Sequence, residues 1–166
     1  MFTIEPQSTG SLEESYQALN TQLAALLSGE RDFICNAAQF SAFVMQTVTD
    51  LNWSGFYFAR GEELVLGPYV GKVACTRIPF GRGVCGKAAE TLQTQRIEDV
   101  HAFDGHIACD AASASEVVIP LVMDGKLVAV FDMDSPRVNR FSETDQAGLE
   151  SLVATFMDAT DFAWTI

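Results

Sequence analysis

Three cysteines, Cys75, Cys85 and Cys109, crowd the middle of the chain at spacings of ten and twenty-four residues. None belongs to a Cys-x-x-Cys pair, which argues against a zinc ribbon or a secreted disulfide framework. In a reducing compartment such thiols read as groups that react and are then reset. Cys85 follows Gly81-Arg-Gly-Val at the expected start of a helix, where backbone N–H groups and Arg82 would favour its thiolate. Cys109 falls in a long loop between Ala108 and Asp110, with His106 three residues back. Cys75 is expected inside a strand, held rigidly. Cys35, among Phe33, Ile34 and Ala37, reads as a core residue. His101, His106 and Cys109 have mixed zinc-ligand chemistry, but no close ligand pair accompanies them, so no metal is expected.

Carboxylates and aromatics form a second set. Asp132 and Asp134 stand two apart at the end of a strand and share a face. Their repulsion would raise the pKa of at least one, which suits a reaction needing an acid still protonated near neutral pH. The plainer reading is that they meet solvent and cap a turn at Ser135-Pro136. Trp53 and Tyr57 flank Gly55 on one strand face, and the glycine leaves a dent that a ligand could occupy. Such aromatics suit an apolar methyl group or a cation. Glu116 depends on register. A hairpin turning on Asp124-Gly125 alone pairs it with Met133 and points it away from Asp132. Pro120 suggests an edge or a bulge, which would shift the register by one and bring Glu116 round.

The elements that position these groups follow from periodicity. Leu12, Tyr16, Leu19, Leu23 and Leu26 predict a helix over about residues 11–28, stopped at Gly29. Asp32 caps a second helix running to Thr49. Strands are expected over 51–59, from Glu63 onward after a turn at Arg60-Gly61, and over 72–79. A short helix runs through Lys87 to Leu92, and residues 98–114 form a loop of functional length. Val117–Met123 and Lys126–Asp132 flank the Asp124-Gly125 turn. Ser142 and Asp145 open a C-terminal helix as a capping box. The fold class is α+β: one domain over residues 11–166 behind a tail of residues 1–10, with terminal helices on a mostly antiparallel sheet.

The net charge of −12 opposes nucleic acid and anionic membrane surfaces as partners. No basic, apolar leader opens the chain and no apolar run reaches membrane length, so a cytoplasmic location is expected.

Asn52-Trp53-Ser-Gly-Phe-Tyr57, Leu66-Gly-Pro-Tyr-Val-Gly-Lys-Val-Ala-Cys75, Gly81-Arg-Gly-Val-Cys85-Gly, Asp104-Gly-His-Ile-Ala-Cys109-Asp and Phe131-Asp132-Met-Asp134-Ser together resemble the free methionine-(R)-sulfoxide reductases, which are single GAF-domain enzymes. The resemblance spans about residues 50–141. Phe131 and Met133 depart from the family's usual aliphatic residues, on the face away from Asp132. The family implies reduction of free methionine-(R)-sulfoxide without a bound cofactor. Cys109 resembles the attacking cysteine and Cys75 the one that resolves its sulfenic acid to a disulfide, which thioredoxin reduces. Cys85 stands between a second resolving thiol and a larger role. Trp53 and Tyr57 resemble the side-chain pocket, Glu116 and Asp134 the groups at the sulfoxide oxygen, and Asp132 the partner of the substrate ammonium. A homodimer is a possible assembly. The rival reading is a non-catalytic GAF module that binds a ligand or senses oxidants, although 166 residues leave little room for an output domain.

Overall fold

The computed structural model describes residues 2–5, 10–102 and 112–162. Helix α1 (Leu12–Leu26) begins at Ser11, whose hydroxyl accepts from the Glu14 N–H while Glu14 reaches back to the Ser11 N–H. Asp32 caps α2 (Phe33–Thr47) by accepting from the Cys35 N–H, 2.8 Å away. The same reciprocal box, Ser142 with Asp145, opens α4 (Glu143–Asp158). Each cap satisfies amides that the helix itself leaves unpaired.

Between α2 and α4 lie β1 (Trp53–Arg60), β2 (Glu63–Gly71), β3 (Arg77–Pro79), α3 (Gly83–Thr91), β4 (Gln95–Ile97), β5 (Ser115–Met123) and β6 (Lys126–Ser135). The strands form one antiparallel sheet in the order β3-β2-β1-β6-β5-β4. This is the expected α+β class.

The sheet is apolar on both faces. On one, Phe40, Phe56, Phe131 and Phe156 pack at ring separations of 4.6–5.8 Å beneath α1, α2 and α4. There Tyr16 donates to Asp145 Oδ1 across α1 and α4 at 2.8 Å. Gly148 is required beneath the ring, because a Cβ there would lie 2.2 Å from Tyr16 Cγ. On the opposite face, α3 lies against β5 and β6 and closes a smaller core containing Trp53, Tyr57, Cys85, Val118 and Val130.

Three expectations need correction, and one strand went unforeseen. The strand expected over 72–79 is confined to Arg77–Pro79, so half-buried Cys75 lies in the irregular segment before it. Its anchor is a disulfide rather than a ladder. Strand β4 was not foreseen, because three residues are too few for a period to declare itself. Cys35 is exposed rather than core, on the outer side of the first turn of α2. The dent expected at Gly55 is filled. A Cβ there would meet Tyr69 Cβ at 2.3 Å, so the glycine admits the neighbouring strand rather than a ligand.

Candidate functional site

Two strand irregularities decide which side chains reach the α3 face. Near the Asp124-Gly125 turn, Met123 pairs with Lys126 and Val122 with Leu127. The next pair is Leu121 with Ala129, leaving Val128 as an extra residue on β6. From this bulge onward the register moves by one, and Glu116 lies opposite Asp134 instead of Met133. The bulge is on β6, not at Pro120. Pro120 pairs with Val130 beyond the short stretch of β5 that β4 covers, where a missing N–H costs no ladder bond on that side.

The β1–β2 hairpin shifts in the same way. Tyr57 pairs with Leu66 but Gly55 pairs with Tyr69, with Gly67-Pro68 absorbing the difference. Tyr69 therefore turns to the site face, where its ring stacks on Trp53 at 5.2 Å while Tyr57 stacks on Trp53 at 5.9 Å. Sequence reasoning gave Tyr69 no role. The signal was the glycine-proline pair inside a strand, which marks a bulge.

Trp53, Asp134 and Glu116 thus occupy one row across β1, β6 and β5, with Asp132 two residues along on the same face. Cys85 descends on them from α3. Its Sγ lies 4.0 Å from Glu116 Oε1, and one ligand atom from each of Cys85, Glu116 and Asp132 falls within 4.8 Å of the others. Glu116 and Asp132 are each 6% exposed and Cys85 5%. Asp134 is half-buried. Trp53 donates its Nε1–H to the Lys72 carbonyl at 3.1 Å, tying the stack to the segment that carries Cys75. Cys75 packs against this same core. Asn52 Nδ2 donates to Ser113 Oγ at the returning end of the 98–114 loop. Cys109, His106 and the centre of that loop lie outside the described residues.

The electrostatics follow from burying acids together. Burial lifts Asp132 from 3.8 to about 7, partly offset by hydrogen bonds from Cys85, Glu116 and the Met133 N–H. Glu116 is raised well above its ordinary range, first by burial and then by Asp132 and Asp134. Cys85 is also pushed well up by burial, then by Asp132 and Glu116. This corrects the expectation of a thiolate. Arg82 is exposed, and a helix start does not outweigh burial beside two carboxyl groups. Burial, Asp132, Cys85, Asp134 and Glu116 likewise raise the Tyr57 phenol. Near pH 7 the site holds a neutral thiol, a Glu116 carboxyl biased toward its protonated form and a half-ionised Asp132 whose Oδ1 is buried without a hydrogen-bond partner. Such a face can donate a proton from Glu116, receive a cation at Asp132 and hold an apolar group on the aromatic stack.

Residues 36–161 match the family model for a GAF domain. The chain is 53% identical over 141 residues to the free methionine-R-sulfoxide reductase of Escherichia coli K12, covering 85% of this chain and 86% of that protein. The structure of free methionine-R-sulfoxide reductase from Neisseria meningitidis in complex with its substrate superposes with a TM-score of 0.90 at 37% identity, over 96% of this chain and 95% of that one. A putative GAF sensor protein from Burkholderia vietnamiensis superposes at 0.87 with 53% identity, over 91% and 96%. A GAF domain is thus the class that the fold and its α3-covered face define. Within that class, the chain belongs to the free methionine-R-sulfoxide reductase family. Among the described residues, no helix is long and apolar enough to cross a membrane.

Proposed function

We propose that this protein reduces free L-methionine-(R)-S-oxide to methionine. The observation that carries the reading is the Cys85–Glu116–Asp132 cluster beside the Tyr57–Trp53–Tyr69 stack, on a chain 53% identical to a reductase of that name. The stack receives the substrate's methyl and side chain. Asp132 receives the α-ammonium, which supplies the positive charge its buried oxygens lack. Glu116, held protonated by its surroundings, donates to the sulfoxide oxygen, with Asp134 beside it.

The chemistry balances through thiols alone. The Cys109 thiolate attacks the substrate sulfur, the sulfoxide oxygen takes up a proton and passes to Cys109 Sγ as the S–O bond and the transient bond between the two sulfurs break, so methionine leaves and Cys109 is left as the sulfenic acid. The Cys75 thiol condenses with it, expelling water and forming a disulfide. A dithiol of the thioredoxin class then reduces that disulfide. The disulfide already borne by Cys75 at the edge of the site supports its part in this cycle. Cys85, a buried thiol hydrogen-bonded within the acid cluster, organises the carboxyl groups rather than attacking.

A peptide-bound methionine has no α-ammonium, so its entry would leave a buried carboxylate unpaired, at a cost of about 1–3 kcal/mol or more. The test is methionine release from each purified free epimer, coupled to NADPH oxidation through thioredoxin and its reductase. Turnover of the R epimer alone is expected. Absence of methionine from either epimer, also with dithiothreitol as reductant, would leave the sensor reading in its place.

A further inference from the structure

We propose that the Cys85–Glu116–Asp132 cluster is also a binding site for a thiophilic divalent cation, of which zinc is the biological representative, and that the ion competes with substrate. Three donors of the right kind, one sulfur and two carboxyl groups, come from three different elements, α3, β5 and β6. Zinc bonds of about 2.3 Å to sulfur and about 2.0–2.2 Å to oxygen place tetrahedral S and O ligands about 3.6 Å apart. The Cys85 Sγ to Glu116 Oε1 separation of 4.0 Å needs a contraction of only a few tenths of an ångström. A second observation points to a missing cation independently. Asp132 Oδ1 is buried with no hydrogen-bond partner, on a residue only 6% exposed. A fourth position is left for water or another ligand, as in zinc sites that are not closed.

The surroundings favour the ion. The groups acting on Tyr57 from this face are Asp132, Cys85, Asp134 and Glu116, all of them acids. Sulfur binds the ion as thiolate, so uptake releases at least the Cys85 thiol proton. The absence of close cysteine pairs, which spoke against a structural zinc site in the sequence, does not bear on this one. Its ligands are brought together by the β6 bulge and by α3, not by local spacing. The binding stands apart from the proposed reductase activity, whereas the competition rests on it.

The test uses the full-length protein with its Cys75 disulfide intact, where the free thiols among the described residues are Cys35 and Cys85. Cadmium is titrated and followed by thiolate-to-metal charge-transfer absorption. Zinc is titrated by calorimetry in buffers of different ionisation enthalpy to count protons. One ion per chain with proton release is expected, together with unchanged binding in Cys35→Ser. Cys85→Ser should remove the cadmium band, and Asp132→Asn should weaken zinc by at least about tenfold. A band that persists in Cys85→Ser or vanishes in Cys35→Ser, or no stoichiometric binding to the folded parent protein, overturns the site. Zinc that binds as described but leaves the KM for methionine sulfoxide unchanged overturns the competition and, with it, the shared use of Asp132.

Discussion

Asp132→Asn should make the ligand-free protein more stable at neutral pH while damaging its site. Burial raises the Asp132 carboxyl from 3.8 to about 7. Between those values the unfolded chain has released a proton that the folded protein retains, so stability falls as pH rises through the window. Below about pH 4 both states are protonated and the penalty vanishes. Above pH 7 it is complete, and at about 1.4 kcal/mol per pKa unit it comes to a little over 4 kcal/mol. Asparagine keeps the shape and an oxygen that accepts from Cys85 and Glu116. Its amide must find a partner, at a cost of about 1 kcal/mol. The variant should therefore equal or slightly trail the parent near pH 4.5 and exceed it by about 3 kcal/mol near pH 8. Urea unfolding of both proteins, with the Cys75 disulfide intact, measures this across the range. A stability difference that does not change with pH, or an asparagine variant weaker at pH 8, would refute the electrostatic account. The same variant should lose roughly 10- to 150-fold in kcat/KM for the free sulfoxide, and N-acetylation of the substrate should be poorly tolerated by the parent.

Cys109→Ser should abolish methionine formation even in a single turnover of reduced enzyme, whereas Cys75→Ser should release about one methionine per chain and stall; quenched-flow product analysis separates them. Glu116→Gln should slow the single-turnover step by roughly 10²–10⁴-fold, and near-parental rates would remove it as the acid. The pH profile of kcat/KM should rise through about pH 7 as Asp132 ionises; a profile flat on the acid side would contradict the ammonium role. Deleting Val128 removes the bulge and lets the two-residue turn run straight into the Leu121–Ala129 pair, so Glu116 should stay opposite Asp134 and the single-turnover rate near parental; a lost rate in a variant that thermal unfolding shows to be folded would contradict this register.

The helices were legible because their apolar period and caps, Ser11, Asp32 and Ser142, are local properties. The Asp124-Gly125 turn was legible for the same reason, and both residues take the positive φ that such a turn requires. What escaped was non-local. Strand β4 is held by its pairing with β5, and no three-residue pattern reveals that. The facing of Glu116 and Tyr69 depends on where a strand gains a residue, and Pro120 drew attention to the wrong strand. The state of Cys85 was misjudged because a helix start and Arg82 are visible in sequence, while burial against two acids is not.

The β6 bulge makes the hairpin a matter of parity. A two-residue turn plus one extra residue at Val128 places Glu116 opposite Asp134. A three-residue turn with no bulge would give the same pairing beyond Leu121. Turn length and bulge are therefore interchangeable terms of one count, and a chain that kept Val128 but ran it regularly through the ladder behind the two-residue turn would pair Glu116 with core-facing Met133 without altering any site motif. Motif matching cannot see this. Two proteins can carry identical Glu116 and Asp132 signatures and differ by one residue, remote from both, in whether those groups ever meet.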